Sequence, residues 1–171
     1  MAKAQMDKFA NQAVIACTET AINTLTFKKL ETGISLFEKV AWIIHRVEYF
    51  LGPTAPILAN ANDAIQWALT TTDQLSSIAI SNAAVLDILK LEYISLGAAA
   101  SGLYVSMPIV KDFAQLPSGG LIVPPNPLYL AVQGIVANAV GTVTAKIFYT
   151  NLQMSVEDYW ELVEARRIIS S

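Results

Sequence analysis

Charged side chains are scarce in this sequence. Asp, Glu, Lys and Arg make up 15% of its 171 residues and hydrophobic residues 54%, whereas average soluble domains carry roughly 25% charged residues. The apolar residues lie in short runs along the chain, and a compact domain of this size cannot bury all of them and still cover itself with charge. We therefore predict that the chain buries apolar surface against many copies of itself, as a homo-oligomer.

Long uncharged hydrophobic runs are also lacking. A membrane-spanning helix needs about 20 nearly uncharged residues, but the longest candidate stretch, 83–110, contains Asp87, Lys90 and Glu92. The other apolar stretch, 128–143, is shorter and holds two glycines. The first residues have no apolar core of the kind found in signal peptides. We expect no membrane span and no secretion signal.

No segment is rich in lysine and arginine. The formal net charge is −3, and between Arg46 and Lys111 the only lysine or arginine is Lys90. Flexible arms that capture nucleic acid depend on many positive charges close together. The sequence therefore does not predict a nucleic-acid-binding arm.

Cysteine and histidine occur once each, as Cys17 and His45. These two residues allow no intrachain disulfide and do not supply the usual ligand set of zinc. We interpret Cys17 as a buried thiol, with an intermolecular disulfide or a reactive thiol as the alternatives. We interpret His45, in the apolar run WIIHRVEYF, as a packed or hydrogen-bonded structural histidine. The alternatives for His45 are a catalytic base and a pH-responsive contact between subunits.

Four aspartates stand near strand ends or loops, where calcium ligands could gather: Asp63, Asp73, Asp87 and Asp112. We favour the interpretation that they are turn residues that bond their own backbone. No glycine-rich phosphate loop occurs, and nothing in the spacing indicates a pair of catalytic carboxylates. The sequence predicts no catalytic residue, no cofactor and no metal site, and we do not expect an enzyme.

Alternating apolar and polar residues, separated by turn signals, predict a series of short strands. The predicted strands are 13–28, 40–51, 64–72, 85–96, 103–113, 121–123, 128–136 and 142–152. Pro108 restricts its strand to an edge or a bulge. The connection 73–82 has room for a short helix.

Residues 34–51 fit two interpretations. At helical spacing an apolar stripe is formed by Phe37, Val40, Ile44, Val47 and Leu51. As a strand, one face is shared by Ile43, His45, Val47 and Tyr49. We favour a helical turn at 35–39 followed by a strand at 40–51, because aromatic and β-branched residues dominate the second part.

Two strands show the clearest alternation. In 64–72 the pattern places Ile65, Trp67 and Leu69 inward, and Gln66, Ala68 and Thr70 outward. In 142–152 it places Val143, Ala145, Ile147 and Tyr149 inward, and Thr142, Thr144, Lys146 and Thr150 outward. Each of these strands is thus expected to have one buried and one exposed face.

The last part of the chain predicts a helix at 156–168. Ser155 and Asp158 resemble a capping box, and the first turn is acidic, as the helix dipole prefers. Residues 1–11 are expected to form a flexible lead. A single domain over 1–171, with seven or eight short strands and one terminal helix, is typical of an all-β sandwich or barrel.

Four segments, which together cover most of the chain, carry a resemblance to a known family. They are NTLTFKKLETGISLFEKVAWIIHRVEYF at 23–50, DAIQWALTTTD at 63–73, LPSGGLIVPPNPLYLAVQG at 116–134 and YTNLQMSVEDYWELVEARR at 149–167. In this order they resemble the single jelly-roll capsid proteins of small icosahedral viruses, mostly single-stranded DNA viruses from environmental genomes. The resemblance implies an eight-stranded jelly-roll sandwich with a short C-terminal helix. It also implies a structural coat protein that self-assembles into an icosahedral shell around the genome, in the virion.

One departure from the family pattern concerns the genome. Many such capsid proteins carry a basic N-terminal arm, which this chain lacks. The resemblance then implies either a separate packaging factor, a shell that assembles empty, or a modest basic patch on the inner wall. For a weak nucleic-acid contact through such a patch the candidates are Lys28, Lys29, Lys39 and Arg46.

Aromatic residues without basic neighbours favour a core or a subunit contact over the stacking of bases. For the contact between copies we select the candidates Trp42, Tyr49, Tyr159, Trp160 and Arg166. Two other functions remain open at this point. One is a trimeric binding module of the tumour-necrosis-factor or lectin type, and the other is an enzyme that uses carboxylates on a β-barrel.

Overall fold

The computed structural model describes residues 5–6, 10–32, 38–52, 63–92, 108–124 and 127–169. The described residues form ten strand segments and one helix. The strands are β1 (Gln5–Met6), β2 (Asn11–Thr18), β3 (Thr26–Lys29), β4 (Val40–Leu51), β5 (Ala64–Thr70), β6 (Val85–Glu92), β7 (Ile109–Asp112), β8 (Leu121–Val123), β9 (Tyr129–Ile135) and β10 (Thr142–Gln153). The helix α1 spans Val156–Ile169.

The strands make two antiparallel sheets, here named sheet A and sheet B. In sheet A the long strands β10 and β4 lie side by side; β1 and β2 both pair with the other edge of β10, and β7 and β8 with the other edge of β4. Sheet B has the order β3-β9-β5-β6. Ten segments therefore occupy eight lateral positions, four in each sheet.

The order in which the chain visits the sheets identifies the topology. It alternates from β2 in sheet A to β3 in sheet B, then to β4 in A and β5 in B, and later from β9 in B to β10 in A. The hairpin β5–β6 stays within sheet B. Two four-position antiparallel sheets joined in this way form a jelly-roll sandwich. The predicted all-β jelly roll with a C-terminal helix is confirmed.

The main core lies between the two sheets. Because successive side chains of a strand point to opposite faces, each strand sends every second residue into this layer. The largest fully buried side chains include Trp42, Tyr49 and Ile147 from sheet A and Trp67 and Leu130 from sheet B. The inward positions predicted for 64–72 and 142–152 are confirmed, since these side chains belong to this core or pack against it, but Thr150, predicted to face outward, is buried.

Ala68 points away from the main core, as predicted, but the expected exposed face is wrong, since Ala68 and Thr70 are both buried. Ile78, from the connection between β5 and β6, packs with Ala68 and Ala131 in a second, smaller cluster. Strand β5 is therefore covered on both faces from residue 67 to residue 70. The connection carries turns rather than the short helix considered for 73–82.

The prediction of one strand over 13–28 is also wrong. The segment divides into β2, which pairs with β10 in sheet A, and β3, which pairs with β9 in sheet B. Asn23 adopts a positive φ of 61°, and the chain crosses between the sheets there. Glu19, which follows β2, continues the buried positions of Ile15 and Cys17 and turns its carboxylate into the protein.

Strand β4 has the predicted bounds, so the helical interpretation of 40–51 is wrong. Its faces differ from those predicted because the register with β10 shifts opposite Phe148 and Tyr149, which leaves His45 as an extra residue. Such a β-bulge reverses which residues point inward beyond it. Ile43 and His45 therefore do not share a face with Val47 and Tyr49.

The remaining strands follow the predictions more closely. Strand β8 has the predicted bounds, β9 is one residue shorter at each end than predicted, and β6 ends at Glu92. The predicted strand at 103–113 is described only from residue 108, and the helical turn at 35–39 only from Glu38. Residues 5–6 of the predicted flexible lead pair with β10. Residues 93–96 and the loop at 97–102 lie outside the described residues.

No helix in the described part of the chain has the length and apolarity that crossing a membrane requires. The only helix described there, α1, begins as the sequence predicts. The Ser155 hydroxyl accepts a hydrogen bond from the Asp158 backbone N–H at 3.1 Å and donates one to the Asp158 carboxylate at 2.7 Å. Helix α1 makes few contacts with the described strands.

Candidate assembly surfaces

Large apolar side chains are exposed on three separate sides of the sandwich. We name these sides the outer face of sheet A, the loop tip and the helix face. The exposed residues are Val14, Phe50 and Val110 on the outer face of sheet A, Ile22, Val136 and Val140 on the loop tip, and Val156 and Trp160 on the helix face. Ile80 and Leu116 are exposed on other connections. Because contiguous apolar surface marks contacts with other molecules, these three sides are the candidate assembly surfaces.

The outer face of sheet A combines apolar and charged side chains. The register sets Val14, Lys146, Glu48 and Val110 in one row across the sheet. Arg46 forms an ion pair with Glu48 at 2.5 Å, and Lys146 lies 5.0 Å from the centre of the Phe148 ring. In this row a positive and a negative side chain thus lie between two exposed valines.

The loop tip is held together by two side chains from the β2–β3 connection. The Glu19 carboxylate accepts hydrogen bonds of 2.6 Å from the backbone N–H groups of Gly134 and Gly141. Asn23 accepts a hydrogen bond of 2.8 Å from the backbone N–H of Ala137. Both residues thus fasten the β2–β3 connection to the β9–β10 connection, which lies more than 110 residues away along the chain.

Glycine is required beside this carboxylate. A methyl group on Gly134 would lie 3.2 Å from Glu19 Oε1, and one on Gly141 would lie 3.3 Å from Glu19 Oε2 and 2.3 Å from Ile65 Cδ1. The two glycines let the backbone approach the carboxylate closely enough for both hydrogen bonds. The sequence carries no local signal for this arrangement, because the partners are distant in the chain.

The structure places three of the five predicted interface residues in its interior. Trp42 is 1% and Tyr49 0% exposed within the single chain, and both belong to the core between the sheets. Tyr159 is also buried. Trp160, at 47% exposed, remains on the surface, and the side chain of Arg166 lies outside the described part of the structure. The aromatic stretch that suggested contact surface thus supplies core instead.

The four basic candidates do not form one patch. Lys28 and Lys29 are exposed on β3, an edge strand of sheet B. Lys39 is half-buried and precedes β4 with a positive φ of 53°. Arg46 lies on sheet A and is paired with Glu48. Among the described residues only Lys28 and Lys29 are neighbouring, exposed cations of this set.

His45 and Cys17 have the structural surroundings predicted for them. His45 Nδ1 lies 2.8 Å from the Gly119 carbonyl oxygen and Nε2 lies 2.9 Å from the Thr150 hydroxyl. Because a carbonyl only accepts, Nδ1 carries the proton that is donated to Gly119. Burial raises the pKa of the Cys17 thiol from 9.0 to about 11, which disfavours the reactive thiolate.

The four aspartates considered as calcium ligands do not gather. Asp112 accepts a hydrogen bond from the Ala114 backbone N–H, as a turn residue does, while Asp63 is buried and bonds Asn138. Asp73 is exposed and bonds Gln74. Within the described ranges, no group of three or more residues of the types His, Cys, Asp and Glu is placed to hold a metal ion.

Asp87 instead joins the two sheets. It lies on β6, accepts a hydrogen bond of 2.9 Å from the buried Tyr49 hydroxyl of β4, and lies 3.8 Å from the Lys111 ammonium of β7. Burial raises the pKa of Asp87, although the Tyr49 hydrogen bond and the Lys111 charge act in the opposite direction. Burial likewise raises the pKa of Tyr49 well above its ordinary value, so the phenol remains a donor.

This raised pKa predicts a pH dependence of stability. Between the ordinary pKa of 3.8 and the raised value, the folded chain binds more protons at Asp87 than the unfolded chain. Stability from this group is therefore lost as the pH rises through that window. In Asp87→Asn the loss is absent, so the variant should gain stability relative to the natural chain as the pH rises. Urea unfolding from acidic to neutral pH measures the difference; Asp73→Asn, an exposed replacement, serves as the control. A difference that is independent of pH contradicts the prediction.

Comparisons with known proteins give only distant similarities. No protein-family model matches the sequence, and no curated protein matches it. Among solved structures, the chain is similar to tomato aspermy virus, determined by X-ray crystallography, with a TM-score of 0.46 and 14% identity over 85% of this chain and 78% of that one. It is similar to a decameric BFDV capsid protein, with a TM-score of 0.32 and 8% identity over 88% and 99% of the two chains.

A third similarity is to Bacillus endospore appendages, described as disulfide-linked pili, with a TM-score of 0.35 and 8% identity over 86% of this chain and 90% of that one. None of the three scores reaches 0.5. The functional conclusion for this chain therefore depends on its own fold and surfaces.

Proposed function

We propose that this chain is the coat-protein subunit of a virus and that its copies assemble into a closed icosahedral shell, in the virion. The observation that carries this proposal is the placement of apolar surface at opposite ends of one strand. The loop tip adjoins the start of β10 and the helix face follows its end. At about 3.3 Å per residue, the strand of 12 residues is about 35–40 Å long, and the two surfaces adjoin its opposite ends.

Surfaces that far apart do not belong to one small interface. A subunit of a closed shell contacts neighbours on several sides, whereas a simple dimer uses a single self-complementary patch. The outer face of sheet A adds a third side. The jelly roll is a fold of both viral capsid and lectin domains, so the fold alone does not decide the function. The distribution of apolar surface over several sides favours the shell.

The charge of the chain is compatible with dense packing of copies. A net charge of −3 produces little repulsion between subunits at ordinary ionic strength. The paired charges on the outer face of sheet A, such as Arg46 with Glu48, can be exchanged for pairs with a neighbour. We further propose that any contact with the genome is weak and uses the exposed pair Lys28 and Lys29, within a single domain over residues 1–171.

The size of the purified protein tests the proposal. Light scattering followed by negative-stain electron microscopy should show uniform closed particles. A discrete trimer that is stable across salt and pH would contradict the shell. It would favour the binding module of the tumour-necrosis-factor or lectin type instead.

Replacement of Trp160 by alanine should weaken assembly more than folding. The indole is 47% exposed, and alanine is the best helix former, so the isolated subunit should keep its stability within about 0.5 kcal/mol. Aromatic residues dominate the binding energy of interfaces. We expect the protein concentration at half-assembly to rise about tenfold or more, as measured by light scattering against dilution.

The control for this experiment is Glu161→Ala, the next residue of the same helix, which is also exposed. It should leave the half-assembly concentration almost unchanged. Normal assembly of Trp160→Ala would show that the helix face is not a contact surface.

A further inference from the structure

Val136 has a backbone conformation that valine rarely adopts. Its φ is 55°, in the left-handed region, where a β-branched side chain is sterically disfavoured. The side chain is also 66% exposed, so burial does not compensate for this conformation in the single chain. Strained residues of this kind persist where the surrounding structure determines them, and they concentrate at functional sites.

The surrounding structure that determines Val136 is the pair of hydrogen-bonding side chains behind it. Glu19 binds the backbone N–H of Gly134 on one side of Val136 and that of Gly141 on the other. Asn23 binds the backbone N–H of the next residue, Ala137, and also donates to its carbonyl oxygen at 3.3 Å. The loop that presents Val136 is therefore fixed before any partner arrives.

The chemistry of the loop tip selects its partner. Residues 20–27 and 134–143 contain no charged side chain, and the adjacent Glu19 and Asp63 are buried and hydrogen-bonded. The tip thus offers no charge to the phosphates of a nucleic acid or to a charged peptide. It does present Ile22, Val136 and Val140 as exposed apolar groups, and two identical uncharged surfaces meet without repulsion.

The size of the tip gives the same answer. A stable complex of two proteins buries about 1,600 Å² in total, which three aliphatic side chains do not provide. A small apolar contact is effective when symmetry repeats it and other surfaces of the same subunits hold it in place. The outer face of sheet A and the helix face are such surfaces.

We propose that the loop tip (Ile22, Val136 and Val140) is a contact between copies of this chain, in which Glu19 and Asn23 hold Val136 against the same tip of neighbouring copies around a rotation axis. This inference rests on the proposed function. Glu19 and Asn23 are positioning residues of the contact, and Val136 is the side chain that enters it.

The test is Val136→Gly. Glycine adopts positive φ at little cost, so the isolated subunit should be as stable as the natural chain or more stable in thermal unfolding. Loss of the apolar side chain should raise the protein concentration at half-assembly about tenfold or more. Weaker assembly together with unchanged or higher subunit stability distinguishes a contact role of Val136 from a structural one. Unchanged assembly by Val136→Gly, while the natural chain assembles normally, would overturn the inference and leave the proposed function intact.

Two further variants complete the experiment. Ile22→Ser/Val140→Ser removes the rest of the tip at positions where φ is not positive, and it should also raise the half-assembly concentration. Ile80→Gly removes a side chain that is 84% exposed on a different connection, and it should leave assembly unchanged. An equal effect of Ile80→Gly would overturn the inference. If the natural chain itself forms no particles, the proposed function fails, and the tip contact fails with it.

Discussion

Replacing Glu19 with alanine is expected to lower the free energy of unfolding by about 2–6 kcal/mol, because two buried backbone donors lose their acceptor at about 1–3 kcal/mol each. The donors are the N–H groups of Gly134 and Gly141, both at 2.6 Å from the carboxylate. Glycines 134 and 141 are buried, so water does not readily take the place of the carboxylate. The loss is large compared with a typical total stability of about 5–15 kcal/mol.

Glu19→Gln tests whether a side chain of the same size is sufficient or whether both carboxylate oxygens are needed as acceptors. The glutamine carbonyl retains one acceptor, but its NH₂ group faces the second N–H donor. We expect the free energy of unfolding of Glu19→Gln to lie between that of the natural chain and that of Glu19→Ala. Urea unfolding of the unassembled subunit measures all three. The control is Glu31→Ala, since Glu31 is exposed and its replacement should change stability by less than about 0.5 kcal/mol. Equal stability of Glu19→Ala and Glu31→Ala would show that the carboxylate is not a structural acceptor.

Glu19 also shows where sequence reasoning reached its limit. The β-branched residues around it predicted one continuous strand, and local pattern is informative about strand propensity. The crossing between sheets depends on partners at Gly134 and Gly141, 115 and 122 residues away. Nothing local in the sequence indicates such a pairing. The strand prediction therefore failed at the residue that fastens the β2–β3 connection to the β9–β10 connection.

Strand β4 illustrates what could be predicted and what could not. Its bounds follow from the aromatic and β-branched residues of 40–51 and agree with the structure. Its faces do not, because a bulge at His45 shifts the register against β10. Whether a strand holds one extra residue depends on its neighbour, and alternation in a single sequence carries no information about that. Trp42 and Tyr49 were predicted to contact other copies, whereas the structure places both in the core between the sheets.

The exposed surfaces also include features that the sequence predicted and features that it did not. Low charge predicted apolar surface in excess of what one core accommodates, and the exposed side chains on three sides agree with that expectation. Trp160, which was predicted to contact other copies, lies on the terminal helix and is exposed, and its role in a contact stays a prediction. Val136 was not predicted, because its exposure and positive φ arise from a loop held by distant residues. Pattern recognises residues that belong to regular elements, whereas contact surfaces on loops depend on tertiary hydrogen bonds.

Replacement of the core residue Trp67 by alanine should lower the free energy of unfolding much more than replacement by phenylalanine. Its indole is 0% exposed and lies with its ring centre 6.0 Å from that of Tyr49, across the two sheets. Trp67→Ala leaves a cavity between the sheets and should cost about 3–5 kcal/mol of unfolding free energy. The Nε1 atom is buried, with no hydrogen-bond partner among the residues that the structure describes.

Trp67→Phe should therefore cost much less, about 1 kcal/mol, since it retains a ring and removes an unpaired donor that is itself unfavourable by about 1–3 kcal/mol. Urea unfolding followed by circular dichroism measures both variants. A comparable loss for phenylalanine and alanine would mean that the indole N–H has a partner or that the core tolerates no smaller ring. A small loss for phenylalanine and a large one for alanine would show that Trp67 serves the sandwich through its volume rather than through its polar atom. Assembly of Trp67→Phe should then match that of the natural chain, because Trp67 lies in the core and is not one of the exposed residues of the contact surfaces.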